Sequence, residues 1–251
     1  MGAYDDQVVV VTGAGSGIGQ ASAHAFADDG ATVVCVDLAG DALTATIDQL
    51  GGAGVPVEGS VAEPDTWRAV VDATKRAGTL AAAHLNAGVY GWSGAIEDLP
   101  DDVYRRTMAA NVDGVVLGTR ALVPVLRDAG GGAIVATASI AGLLAWPHNA
   151  VYTMTKHAVV GFVRSVAPML VADGIGVSAV CPSIVDTPMT VEAAGGINLA
   201  DHDFPLIPPS AVVAAVMELA AARASGICRA VLDHGSTDWD FPGWDHLDTG
   251  S

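Results

Sequence analysis

Apolar residues in this chain come in two rhythms. The continuous run at 8–11 predicts a strand covered on both faces, and short runs at 32–36, 55–58, 80–85, 133–137, 177–181 and 229–233 predict further strands. Between them lie stretches whose apolar positions recur at helical spacing. These predict helices from the glycine-rich turn to 29, over 41–50 and 63–76, from 101 to about 127, over 150–172, and over 210–222. In the 101–127 stretch Val103, Met108, Val112, Val115 and Val116 keep that spacing. Pro168 lies inside the 150–172 stretch and predicts a kink or an early end there.

Strands separated by helices imply an α/β chain with right-handed crossovers. The expected architecture is a single-domain Rossmann fold over 1–251, a doubly wound parallel sheet of about seven strands with helices on both faces. No repeat or linker divides the chain. Its one long connection, 187–208, is expected to cover a substrate, and 238–251 is read as a C-terminal tail rich in Trp, Asp and Gly.

Composition narrows the partners. With 251 residues, 51% of them hydrophobic, the chain can bury a large core and is not a disordered segment. Its 28 acidic against 11 basic residues give a net charge of -17, which repels phosphate backbones, so nucleic acid is not expected as a partner. Cys35, Cys181 and Cys228 each sit in an apolar run without C-x-x-C spacing and are read as buried thiols. Residues 1–7 are short and acidic, unlike a signal peptide, and no charge-free run of ~18 strongly apolar residues is present. The expectation is a cytoplasmic protein without a membrane partner. The seven histidines are scattered, so no metal site is expected, and Asp201, His202 and Asp203 read as an exposed loop cluster.

The candidate chemistry begins at the first strand–helix turn, Thr12-Gly13-Ala14-Gly15-Ser16-Gly17-Ile18-Gly19. Glycines there let backbone approach a pyrophosphate, and the helix start offers unpaired N–H groups and a positive dipole end. Asp37 ends the second strand 18 positions after Gly19, next to Leu38. A carboxylate there can accept from both ribose hydroxyls of NAD and would repel the 2′-phosphate of NADP. No arginine adjoins Asp37, and Ser16 rather than a basic residue occupies the turn, so NAD is the expected cofactor.

Further segments recur in a fixed order: Asn86-Ala87-Gly88, Asn111, Ser139, Tyr152-x-x-x-Lys156, and Cys181-Pro182-Ser183-Ile184-Val185-Asp186-Thr187, with Tyr152 following Ser139 by 13 positions. Together with the glycine turn they resemble the short-chain dehydrogenase/reductase family over nearly the whole chain. Departures exist. Ser60 stands where many members have an adenine-contacting aspartate, Ser183 replaces a glycine, and Leu232-Asp233-His234-Gly235 only partly matches the family pattern.

The resemblance implies a hydride transfer between a secondary alcohol and its ketone, with Tyr152 as acid/base. Lys156 lies one helical turn on, facing the same way. A positive charge ~4 Å away at an effective dielectric of about 20 is worth roughly 4 kcal/mol. That would bring the phenol from about 10 to near neutrality. By the same resemblance Lys156 holds the nicotinamide ribose, Ser139 binds the substrate oxygen, and Asn111 holds a water on a proton path. Ser60 and Val61 would reach the adenine. Pro182, Val185 and Thr187 would face the nicotinamide carboxamide.

Tyr90, Trp92, Ala141, Leu143, Trp146, His148 and Met189 are expected to line a mostly apolar pocket for a hydrophobic or cyclic alcohol. Among them Trp92, Trp146, His148 and Met189, with Ser139 and Tyr152, are the candidate substrate contacts. The same residues could serve an NADPH-type carbonyl or 3-oxoacyl reductase, against which Asp37 counts, or a non-catalytic dinucleotide-binding regulator. Members commonly assemble through the two long helices. A homotetramer is the expected state, with a dimer as the alternative; Ala158, Val159, Phe162 and Val163 suit either such an interface or the core.

Overall fold

The computed structural model describes residues 2–38, 40–195 and 205–242. Its centre is one sheet in the order β3-β2-β1-β4-β5-β6-β7-β8. The strands are β1 (Gln7–Thr12), β2 (Thr32–Asp37), β3 (Gly54–Glu58), β4 (Thr79–Leu85), β5 (Gly132–Thr137), β6 (Ile175–Pro182), β7 (Cys228–Leu232) and β8 (Gly235–Asp238). β1 to β7 pair in parallel and β8 antiparallel to β7. The helices are α1 (Gly17–Asp28), α2 (Asp41–Gln49), α3 (Pro64–Ala77), α4 (Asp101–Met108), α5 (Gly114–Asp128), α6 (Ala150–Leu170), α7 (Pro188–Ala193) and α8 (Pro209–Ala221).

Alternation along β1 explains the two cores. Val8 and Val10 point to one face with Val34, Leu85, Ile134, Leu122 and Val163, under α3, α5 and α6. Val9 and Val11 point to the other with Val33, Val135, Phe26 and Val216, under α1 and α8. The strand order reverses between β1 and β4, so their carboxyl ends open a crevice there, the usual ligand position in such sheets.

Four details differ from the sequence expectation. An eighth strand forms because the chain turns at Asp233 and His234 and pairs Gly235–Asp238 back on β7, where Arg229 bridges Asp238 and Glu218. The region 187–208 contains α7, started by Thr187 and by Pro188 in the first turn. α6 ends at Leu170, two residues after Pro168 and short of the expected 172, and passes into a 3-10 turn, Val171–Asp173. The 101–127 helix is broken by a π-helical turn, Ala109–Asp113, which carries Asn111. Residues 196–204, including Asp201, His202 and Asp203, and residues 243–251 of the tail lie outside the described residues.

By length and composition the helix Asp101–Asp128 could cross a bilayer, but it packs against α3, α6, β4 and β5. Val159 and Val163 are fully buried, so their role is core packing rather than an interface. Phe162 instead lines a shallow apolar groove with Val116, Val123, Val166 and Leu170.

Candidate active site

The β1–α1 turn forms a backbone cradle. Gly13 and Gly17 hold φ of +68° and +53°, where a side chain is strained. Gly19 lies so close to the Gly13 carbonyl that a Cβ would collide with it. Ser16 starts α1 without a side-chain cap, and the first turn has no acidic residue, so helix N–H groups and the positive dipole end face the crevice. Asp37 sits beside this turn. Its Oδ2 accepts from Gly15 N at 2.7 Å and its Oδ1 from Leu38 N at 2.7 Å. Each oxygen keeps acceptor capacity for a hydroxyl. The cradle and the adjacent carboxylate fit a pyrophosphate and a ribose diol.

The crevice wall is held by polar bonds the sequence did not reveal. Asn86 donates from its backbone N–H to Thr12 Oγ1 (2.9 Å) and from Nδ2 to Thr12 O (3.1 Å), and Ala87 N also donates to Thr12 Oγ1 (3.0 Å). Thr137 Oγ1 donates to Asn86 Oδ1 at 3.0 Å, which makes it the acceptor from His84 Nε2 at 2.9 Å. His84 Nδ1 then accepts from Ser22 Oγ at 2.9 Å. Asn86 is therefore a strut joining β1, β4 and β5. Gly88 is confined too: a Cβ there would lie 3.0 Å from Asn111 Oδ1 and 3.6 Å from Lys156 Nζ.

Burial pushes the His84 imidazole down to about 3, so it is neutral in the fold. Its folded pKa lies below the unfolded 6.5, so the unfolded chain binds the extra proton, and stability present above pH 6.5 is lost as pH falls toward 3. The shift corresponds to roughly 5 kcal/mol over that window. His84→Gln should flatten the slope of unfolding free energy against pH between 6.5 and 4 by up to about 1.4 kcal/mol per pH unit. Urea unfolding across that range checks this; an unchanged slope would refute the assignment.

Ser139, Tyr152 and Lys156 converge at the ends of β5 and β6. Ser139 Oγ accepts from Ala141 N (3.1 Å) and donates to Pro182 O (3.4 Å). Lys156 is 4% exposed, and its Nζ donates to Thr137 O at 2.8 Å and lies 5.5 Å from the centre of the Tyr152 ring. Burial pushes the Tyr152 phenol up to about 12, with the Ser139 hydroxyl pulling it down and Tyr90 and Cys181 adding to the rise. Burial also pushes Lys156 down to about 8. This corrects the expectation of a phenol brought near neutrality by Lys156. Enclosure disfavours phenolate and ammonium alike and is the largest cause of both shifts.

The Asn111 side chain ties two segments together. Its Oδ1 accepts from Val89 N (2.7 Å), and its Nδ2 donates to Val89 O (2.9 Å) and Thr155 Oγ1 (3.1 Å). The π turn places it there, a feature common at functional sites. Elsewhere, Ser60 Oγ accepts from Ala62 N, and the Val61 carbonyl accepts from the Trp67 indole. The Val185 carbonyl accepts from the Thr190 and Thr187 hydroxyls, and a Cβ on Gly17 would meet Thr187 Cγ2 at 3.0 Å. Thr187 thus closes the far side of the glycine turn, with the Val185 carbonyl holding its hydroxyl.

A cavity of about 540 Å³ adjoins this group, lined in part by Tyr90, Trp92, Ile96, His148, Val151 and Ala193. Of the residues expected in a substrate pocket, Tyr90, Trp92 and His148 line this cavity and Ala141 and Leu143 do not. Trp146 stands at its rim, edge-on to His148 with ring centres 5.0 Å apart. Met189 is absent from the lining, because α7 presents Ala193 instead. Tyr90 and Val151 separate the cavity from Tyr152, and the Tyr90 and Tyr152 rings are 5.2 Å apart. Among the described residues no three His, Cys, Asp or Glu side chains group as a metal site.

The sequence profile described as short chain dehydrogenase matches residues 7–196. A 3beta-hydroxysteroid dehydrogenase of Mediterraneibacter gnavus is 36% identical over 202 residues, which span 79% of this chain and 73% of that one. A cyclohexanol dehydrogenase of Acinetobacter sp. is 35% identical over 75% of this chain and 77% of its own. In structure, a 3-ketoacyl-(acyl-carrier-protein) reductase from Brucella melitensis complexed with NADH superposes with a TM-score of 0.83 at 27% identity, covering 92% of this chain and 98% of that one.

Proposed function

The chain belongs to the short-chain dehydrogenase/reductase family, and on that footing we propose that it is an NAD-dependent dehydrogenase of hydrophobic or cyclic secondary alcohols. The observation that carries this reading is the convergence of Ser139, Tyr152 and Lys156 at the ends of β5 and β6, with an aromatic-walled cavity next to it across Tyr90 and Val151. Bound NAD supplies the acceptor for a hydride. The chain's own residues do the rest. Ser139 holds the alcohol oxygen, and Tyr152 Oη takes the hydroxyl proton as the carbinol hydrogen leaves. Lys156 binds the nicotinamide ribose and stabilises the phenolate by its charge, while Asn111 anchors the segment at Val89 from the opposite side.

Asp37 supports NAD over NADP: its carboxylate, held beside the glycine turn, could accept from the ribose hydroxyls and would repel a 2′-phosphate brought there. The adenine would lie along Ser60 and Val61, the pyrophosphate on residues 13–19 including Ile18, and the nicotinamide between Asn86-Ala87-Gly88 and Pro182, Val185 and Thr187. Tyr90, Trp92 and His148 supply aromatic faces to the cavity, with Trp146 at its rim, which suits ring-bearing alcohols such as those named for the steroid and cyclohexanol relatives.

Incubation with NAD and a panel of cyclic, steroidal and short linear secondary alcohols tests this reading. NADH should form at 340 nm with a cyclic alcohol at least about tenfold faster than with an equimolar short linear one, a gap that about 1.4 kcal/mol of ring burial supplies. Equal rates with all alcohols would remove the cavity from the argument. Self-association belongs to the same reading: the groove at Val116, Val123, Phe162 and Val166 is proposed as its seat, with a homotetramer as the expected assembly. Light scattering of Phe162→Glu should then show a smaller particle than the parent chain.

A further inference from the structure

Asn149 stands one residue before α6 and is 1% exposed. Its Oδ1 accepts from the Tyr152 backbone N–H at 2.9 Å, capping the helix that carries Tyr152 and Lys156. The same amide's Nδ2 donates to the Tyr90 carbonyl at 2.7 Å. One planar side chain thus ties the start of α6 to the segment that follows β4. That segment is clamped at two consecutive residues, by Asn111 at Val89 and by Asn149 at Tyr90. Between the clamps the Tyr90 ring rests on the Tyr152 ring at 5.2 Å, and its hydroxyl receives the Trp146 indole N–H at 3.4 Å.

We propose that Asn149 is a positioning residue that couples the substrate wall at Tyr90 to the general base at Tyr152. This rests on the function proposed above for Tyr152. A plain helix cap needs only an acceptor, which serine or aspartate also supplies. The second contact needs a donor on the same group, and asparagine carries both. Tyr152 Oη lies at the end of a long side chain whose backbone N–H is the atom Asn149 holds, while the ring facing it belongs to the residue held by Nδ2. Loss of the bridge would let Tyr90 move against Tyr152 with the helix intact. Misplacement of a reacting group by about 1 Å can cost about 100-fold in rate.

Asn149→Ser separates the two contacts, keeping a cap and removing the bridge, while Asn149→Ala removes both. For Asn149→Ser we expect a melting temperature within about 2 °C of the parent and an unchanged Kd for NAD. The kcat/KM for a cyclic alcohol should fall about tenfold or more, mostly in kcat. Hydrogen exchange of the peptide over 89–92 should quicken while the Tyr152 amide stays protected. Asn149→Ala should add a lower melting temperature and a deprotected Tyr152 amide. A serine variant with parental kcat/KM, or with unchanged exchange over 89–92, overturns the coupling and leaves Asn149 a helix cap only. Should the parent oxidise no alcohol, the functional reading fails, and the exchange measurement still decides whether Asn149 holds the Tyr90 segment.

Discussion

Tyr152→Phe should lower kcat/KM for alcohol oxidation by about a thousandfold while leaving the Kd for NAD within about twofold of the parent. The phenol contributes general base catalysis, which is typically worth 10² to 10⁴ in rate. The ring contributes packing against Tyr90, and phenylalanine keeps it. Loss of activity with an intact fold therefore isolates the hydroxyl. The pH profile gives a second readout. Burial holds the phenol up at about 12, so near neutral pH only a small fraction is ionised. Oxidation should rise with pH from about 7 upward, because the deprotonated form is the base. Lys156→Met should push that rise to higher pH, and in Tyr152→Phe it should vanish. A Tyr152→Phe enzyme with undiminished turnover would place the base elsewhere.

Asp37→Ser should cost about 100-fold in kcat/KM with NAD and bring the NADP rate up toward it. Hydrogen bonds from two ribose hydroxyls to a carboxylate contribute on the order of 1.5–3 kcal/mol each; the serine hydroxyl can still accept one of them, so a loss of about 3 kcal/mol is expected, and 1.4 kcal/mol is a factor of ten. The serine also removes the charge that would repel a 2′-phosphate. It leaves Gly15 N without its 2.7 Å acceptor, so the turn should loosen and the Km for either cofactor should rise. Paired initial-rate measurements with NAD and NADP decide the point. A parent chain that prefers NADP would overturn the reading of Asp37.

Much of the fold could be read from local pattern. β1 and β2 are valine-rich runs, and Gly13, Gly15, Gly17 and Gly19 span the end of a strand and the first turn of a helix, so sequence spacing alone located the crevice. What escaped was set by tertiary contact. β8 is four exposed residues with no apolar alternation, and it forms only because Arg229 and β7 present it with partners. The π turn at Asn111 leaves the helical spacing of its neighbours almost unchanged. His84 breaks an otherwise aliphatic strand, which was a visible sign of a buried polar network, but its partners Ser22 and Thr137 lie 62 and 53 positions away. Asn149 was legible in principle as an N-cap immediately before a helical run. Its second bond, to Tyr90, spans 59 positions and carries no local sign. The raised Tyr152 phenol was not legible, because charge spacing is visible in a sequence and desolvation is not.

The most direct test follows the hydride itself. Cyclohexanol deuterated at the carbinol carbon would be incubated with NAD and the intact chain, and the reduced cofactor and cyclohexanone examined by mass spectrometry. Transfer of that deuterium to the reduced cofactor, with formation of cyclohexanone, is the predicted result. Stable NAD binding with no deuterium transferred from cyclohexanol or from any other deuterated cyclic alcohol would contradict the account.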